Sequence, residues 1–169
     1  FLQAKILADR FIQNKRPKIL DIGCFKGHLL LELDSILNKG IFWGFDINPQ
    51  LKNLFSDKEN FQFISSNLED IDVRFDLIIL SHSIPYVPDL TKLMSTIDKL
   101  LCHNGILFIQ IPNISKNPYY SLMGDQCFIF TEASLKNLLK NFGYNIFVIE
   151  SDYFPRELLI FFQKKKRMF

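Results

Sequence analysis

Covalent staples are scarce in this chain. Its 169 residues include three cysteines, Cys24, Cys102 and Cys127. An odd number without paired spacing suggests neither a disulfide framework nor a zinc site. No apolar run approaches the ~18 residues that a membrane span requires, and the first residues show no signal-peptide pattern, so the expected location is cytoplasmic. Charge of one sign is not in excess: 20 basic and 18 acidic side chains leave +2. That is too little for a nucleic-acid footprint, and the one dense basic run, Lys164 to Arg167, reads as a solvated tail. Glycine is sparse as well, with seven residues, all of them at or near predicted junctions except Gly44 and Gly124.

Apolar residues are abundant. Hydrophobic side chains make up 48% of the sequence, enough to bury a substantial core, and the length fits a single domain over residues 1–169. Most of the 18 phenylalanines, among them Phe61, Phe63, Phe75, Phe108, Phe147, Phe161 and Phe162, fall in strand-like runs, where aromatics are favoured.

Apolar runs alternate with helical patterns along the chain, with no internal repeat or low-complexity segment. That alternation predicts an α/β fold with a mainly parallel sheet covered on both faces. Strands are expected at 18–22, 41–46, 61–65, 75–81, 105–111, 144–150 and 157–162, and helices at 2–14, 27–38, 49–56, 89–102 and 131–142. Asn48-Pro49 suits a helix start, Thr131 a cap and Gly143 a stop, and Gly105 is expected to open the fifth strand. The last two strands have only a loop containing Pro155 between them, so they can pair as an antiparallel hairpin.

The most informative stretch is Lys18-Ile-Leu-Asp-Ile-Gly-Cys-Phe-Lys-Gly-His28. It reads as a strand ending in a carboxylate, a tight turn with two glycines, and then a helix. A dinucleotide fingerprint beginning at Gly23 needs glycine at 25 and 28 so that backbone can press against a pyrophosphate, but Phe25 and His28 stand there. This opposes a nicotinamide oxidoreductase. Asp21 would repel a pyrophosphate yet suits a ligand carrying an ammonium group. Phe42-Trp-Gly-Phe-Asp46 reads as a second strand that also ends in an acid.

These residues resemble the class I S-adenosylmethionine-dependent methyltransferases, whose first motif is acid-x-Gly-x-Gly-x-Gly. Asp21, Gly23 and Gly27 match it, and Phe25 takes the place of the middle glycine. The resemblance covers nearly the whole chain. It implies a seven-stranded sheet in the order 3-2-1-4-5-7-6, with S-adenosyl-L-methionine as cofactor. It further implies that Asp21 and the loop Gly23, Cys24, Phe25 and Gly27 hold the methionine end. Asp46, next to Ile47, would accept hydrogen bonds from the ribose, Asn67 and Leu68 would meet the adenine, and Ser81 would complete the site. After the fifth strand, Ile111-Pro-Asn113 and Asp125-Gln-Cys-Phe-Ile-Phe-Thr131 are similar to segments of small methyltransferases of types 11, 12 and 23, found in polysaccharide and secondary-metabolite pathways. Gln126 stands where that pattern has histidine.

Ligands of open α/β sheets bind beyond the carboxyl ends of the strands. Ser81-His82-Ser83-Ile84-Pro85-Tyr86 follows the fourth strand, which makes His82 the first candidate base and Tyr86 the second. His28 is expected to face solvent, and no role is assigned to His103. The segment from Asn113 to Phe130 is expected to be a loop or lid on the acceptor site. Taken together, the expected function is O-methylation of a sugar or other small polar metabolite. The alternative is a noncatalytic S-adenosylmethionine-binding or interaction domain. The expected partner is a small-molecule or carbohydrate acceptor, with no nucleic acid.

Overall fold

Strands covered on both faces must be apolar at nearly every position. The structure, a computed structural model describing residues 2–9, 16–51, 53, 55–150 and 154–164, realises this in β1 (Lys18–Ile22), which is buried at every position but the first. The sheet contains β1, β2 (Ile41–Phe45), β3 (Phe61–Ile64), β4 (Phe75–Ser81), β5 (Leu101–Pro112), β6 (Tyr144–Glu150) and β7 (Glu157–Lys164). Its order is β3-β2-β1-β4-β5-β7-β6, with β7 antiparallel to both neighbours. Order and strand directions are those implied by the resemblance.

Among the described residues, four helices cover the sheet: α1 (Leu2–Asp9), α2 (His28–Leu37), α3 (Leu90–Leu100) and α4 (Glu132–Asn141). Alternate residues of each central strand point to opposite faces. Leu20, Ile78, Leu80, Leu107 and Ile160 pack with Leu93, Met94 and Ile97 of α3 and Leu135 and Leu139 of α4. Ile19, Leu77, Ile79, Phe108 and Phe161 pack with Ala4 and Leu7 of α1 and Leu30 and Leu33 of α2. Local capping supports the α4 register: Thr131 Oγ1 accepts the Ser134 N–H at 3.1 Å, and the Ser134 hydroxyl accepts the Thr131 N–H at 2.9 Å.

Several expected boundaries move. The helix expected to run to residue 102 stops at Leu100, and β5 begins at Leu101 without a linker. Leu101 is buried in extended conformation opposite Phe75, so core packing pulls it out of the helix. Gly105 therefore lies inside β5 instead of opening it, and a Cβ there would come within 2.8 Å of the Leu101 side chain. The helix expected at 49–56 is a 3-10 turn, Pro49–Leu51, with further turns at 53 and 55–57. Phe55 is buried with its ring 4.8 Å from Phe61, an inward pull that a continuing surface helix would not satisfy. Residues 10–14 of the first expected helix and 165–167 of the basic run lie outside the described residues, as do residues 52 and 54. Among the described residues, no helix is long and apolar enough to cross a membrane.

Candidate cofactor cleft and acceptor site

A cleft of about 740 Å3 opens at the carboxyl ends of the parallel strands. It lies at the point where the strand order reverses between β1 and β4, which is where open α/β sheets bind ligands. Of the sequence candidates, Gly23, Phe25, Asp46, Ile47, Asn67, Leu68, Ser81, His82 and Tyr86 line it. Asp21, Cys24 and Gly27 do not, and all three are buried.

That turn folds without its middle glycine. Gly23, Phe25 and Gly27 have φ of 83°, 46° and 66°, so Phe25 takes a left-handed conformation that L-residues adopt only at a cost of order 1 kcal/mol. Three hydrogen bonds from neighbouring backbone brace it. Gly23 N–H and Cys24 N–H both donate to the Phe45 carbonyl, at 2.7 and 3.0 Å, and Gly27 N–H donates to the Cys24 carbonyl at 2.8 Å. Phe25 itself donates its N–H to Asp46 Oδ2 at 2.9 Å. Gly23 cannot be replaced so readily, since a Cβ there would meet Ser83 Cβ at 2.6 Å.

The two acids differ in environment. Asp46 stands at the cleft wall, and its Oδ1 accepts the Asn48 N–H at 3.0 Å. A carboxylate has about four lone-pair sites, so two bonds leave it able to accept more. Asp21 is buried, and its Oδ1 has no hydrogen-bond partner among the described residues. Burial, followed by repulsion from Asp46, pushes its carboxyl up to about 7. Phe25 and Ile47 are exposed by 60% and 84% although both are large and apolar. They form greasy flanks beside the polar wall.

Cys24 is inert structural filling. Its Sγ sits where a Cβ at Gly44 would fall, 2.7 Å away, and burial, with Asp21 and Asp46 nearby, pushes the thiol up. A small side chain therefore suits position 24, and glycine is required across from it at 44.

On the opposite wall, His82 follows β4 with φ of 58° and donates its N–H to the Gln110 carbonyl at 2.9 Å. Burial holds its imidazole below the usual range, which favours the neutral form. Tyr86, in the 3-10 turn Ile84–Tyr86, shares a side-chain hydrogen bond with Tyr120, from the turn Pro118–Leu122. The Cys127 and Phe128 N–H groups donate to the Pro85 carbonyl at 2.9 and 3.1 Å, tying the 113–130 segment to the loop that carries His82 and Tyr86. His28 is exposed, as expected.

The methyltransferase domain family matches residues 2–148. The chain belongs to that family. An uncharacterized protein of Methanocaldococcus jannaschii is 25% identical to this methyltransferase domain over 165 residues, which cover 87% of the chain and 45% of that protein. The domain therefore spans less than half of that relative's length. Among solved structures, a Nostoc punctiforme protein proposed to be an O-methyltransferase is similar with a TM-score of 0.78 and 17% identity, over 96% of this chain and 56% of that one. The 1,6-didemethyltoxoflavin-N1-methyltransferase of Burkholderia thailandensis, solved with 1,6-didemethyltoxoflavin and S-adenosylhomocysteine bound, gives 0.76 and 17% over 96% and 76%. At these identities the likeness lies in the fold.

With the family comes the cofactor expected from the sequence, S-adenosylmethionine, and the methyltransferase domain has residues that fit it. The unpartnered Asp21 oxygen suits an ammonium group, the free lone pairs of Asp46 suit vicinal hydroxyls, and the apolar flanks suit a flat base. The sequence reading missed Ser83, Glu69 and Lys92, all at the cleft. Ser83 Oγ is buried without a partner among the described residues, and Lys92 pairs with Glu69 at 3.4 Å across the mouth. Only Ser83 had a readable signal, its place in the loop after β4.

Proposed function

We propose that the protein containing this domain transfers the methyl group of S-adenosylmethionine to a hydroxyl of a sugar or similar small polar metabolite. The observation that carries the reading is the pair Asp21 and Asp46 at the ends of adjacent strands, one with a buried unpartnered oxygen and the other with lone pairs to spare. Such a pair favours an ammonium and a diol, and disfavours a phosphate.

In this reading Asp21 and the Gly23–Gly27 turn hold the methionine end, with Cys24 filling the space beneath. Asp46 takes the ribose hydroxyls, while Ile47, Asn67 and Leu68 surround the adenine and Ser81 closes the floor. The bound cofactor supplies a methyl group already activated by its positively charged sulfur. The chain's remaining work is to align an acceptor and keep water out. His82 accepts the acceptor's proton. Tyr86, through its link to Tyr120, orients the acceptor between the loop after β4 and the 113–130 segment. The support for a hydroxyl acceptor is that the loop after β4 brings an imidazole, His82, and a phenol, Tyr86, to the cleft.

A second reading, a noncatalytic S-adenosylmethionine-binding domain, is favoured by Phe25, Asn67 and Gln126, each a departure from the pattern of the resembled family. A screen of hydroxylated acceptors with methyl-labelled cofactor separates the two. The proposal expects label transfer that falls at least tenfold in His82→Gln, while affinity for S-adenosylhomocysteine stays unchanged. Tight cofactor binding with no transfer to any acceptor would favour the second reading.

A further inference from the structure

One carboxylate near the acceptor wall lies outside the cleft and is not accounted for by the cofactor. Glu157 is the first residue of β7, and because β7 runs antiparallel it lies opposite Pro112, at the carboxyl ends of β4 and β5. Its Oε2 is 3.5 Å from His82 Nε2. We infer that Glu157 is a positioning residue for His82: it keeps the Nε2–H side of the imidazole turned toward its carboxylate, so that Nδ1 is the nitrogen offered to a protic acceptor. The inference deepens the methyltransferase reading and rests on it.

Three features support this arrangement. Glu157 Oε2 is buried and has no hydrogen bond among the described residues, so its lone pairs remain for the imidazole. The carboxylate is held from behind by a hydrogen bond to the Gln110 side chain. The Gln3 side-chain N–H group in turn donates to Gln110 Oε1 and, at 3.0 Å, to Ser81 Oγ. A polar chain thus runs from α1 through β4 and β5 to the start of β7. Finally, His82 is held in a left-handed conformation by its own N–H bond to Gln110, a strain that structures retain mainly at working sites. A separation of 3.5 Å exceeds a hydrogen bond, but catalytic contacts of this kind commonly tighten only when substrate is bound.

The proton balance gives the pair its use. As the acceptor oxygen bonds to the methyl carbon, the carbon–sulfur bond breaks and its electron pair stays on sulfur. The acceptor's proton passes to Nδ1, and the resulting imidazolium is offset by Glu157. The other ionisable groups on this wall are the Tyr86 and Tyr120 hydroxyls and Asp125, which acts on Tyr120.

The test is nitrogen-15 NMR of histidine-labelled full-length protein without cofactor, comparing wild type, Glu157→Gln and Glu157→Asp, with His82→Gln used to assign the signal. The expected result is a wild-type His82 protonated on Nε2. In Glu157→Gln its titration midpoint should fall by about one unit as the facing anion is lost, and the tautomers should mix. Glu157→Asp should restore the Nε2–H form. Calorimetry should give equal affinity for S-adenosylhomocysteine in all three proteins. An unchanged midpoint and tautomer in Glu157→Gln would overturn the inference. Failure of the wild type to bind S-adenosylhomocysteine would instead overturn the methyltransferase reading, whatever the histidine signal does.

Discussion

The Asp46 carboxylate accepts the N–H of Phe25 at 2.9 Å, joining the end of β2 to the one residue of the turn after β1 that departs from the family's glycine pattern. The bond explains how a bulky residue can occupy a left-handed position there. The acid expected to read a ribose also braces the loop expected to hold the methionine end. On the proposed reading Asp46 has two tasks, and its loss should be felt on both sides of the cleft.

Gly23 and Gly143 have nearly the same φ, 83° and 82°, but different surroundings. A Cβ on Gly143 meets nothing within 4 Å, whereas one on Gly23 meets Ser83 Cβ at 2.6 Å. Gly143→Ala should cost only the backbone strain, about 1 kcal/mol, and Gly23→Ala about 2–4 kcal/mol, because strain and overpacking add. Denaturant unfolding of both variants measures the difference. Equal costs would mean that the close approach to Ser83 is not a constraint.

On the proposed reading, Asp21 gives cofactor binding a pH dependence. Its folded pKa, about 7, lies above its unfolded value, so its contribution to stability is fully present below about pH 4 and is lost as the pH rises through about 7. Binding an ammonium group needs the ionised form and so runs the other way. Affinity for S-adenosylhomocysteine should rise about tenfold per unit as the pH climbs toward 7, then level off. In Asp21→Asn affinity should be weak and flat with pH. A wild-type profile that is flat from pH 5.5 to 8 would remove Asp21 from the site.

The cysteines should separate by reactivity. Cys127 is exposed, whereas Cys24 is buried with its thiol pushed up. Mass spectrometry after brief alkylation at pH 8 should find Cys127 modified and Cys24 untouched. Rapid labelling of Cys24 would show that the turn opens in solution.

Much of this arrangement could be read from residue order alone, because buried parallel strands announce themselves as unbroken apolar runs and the two acids stand at the ends of theirs. What could not be read arises where tertiary packing overrides local preference. Leu101 continues a helical pattern but is pulled into β5 by burial. Phe55 ends a helical pattern for the same reason. Phe25 takes the place of the motif's middle glycine, yet bonds from the turn's backbone to Phe45 and Asp46 hold the turn around it. Glu157 was missed as a site residue although a signal existed: the first residue of an antiparallel strand beside parallel ones must lie at their carboxyl ends. Lys92 and Glu69 had no signal, since each is an ordinary polar residue until α3 and the turn after β3 bring them together.

The most direct test is calorimetric titration of wild type and Asp46→Ala with S-adenosylmethionine and S-adenosylhomocysteine. Both ligands should bind the wild type. Removing charge-assisted hydrogen bonds worth about 1.5–3 kcal/mol should weaken both by roughly ten- to a hundredfold in the variant. Equal binding by the two proteins, or binding of neither ligand by the wild type, would contradict the account.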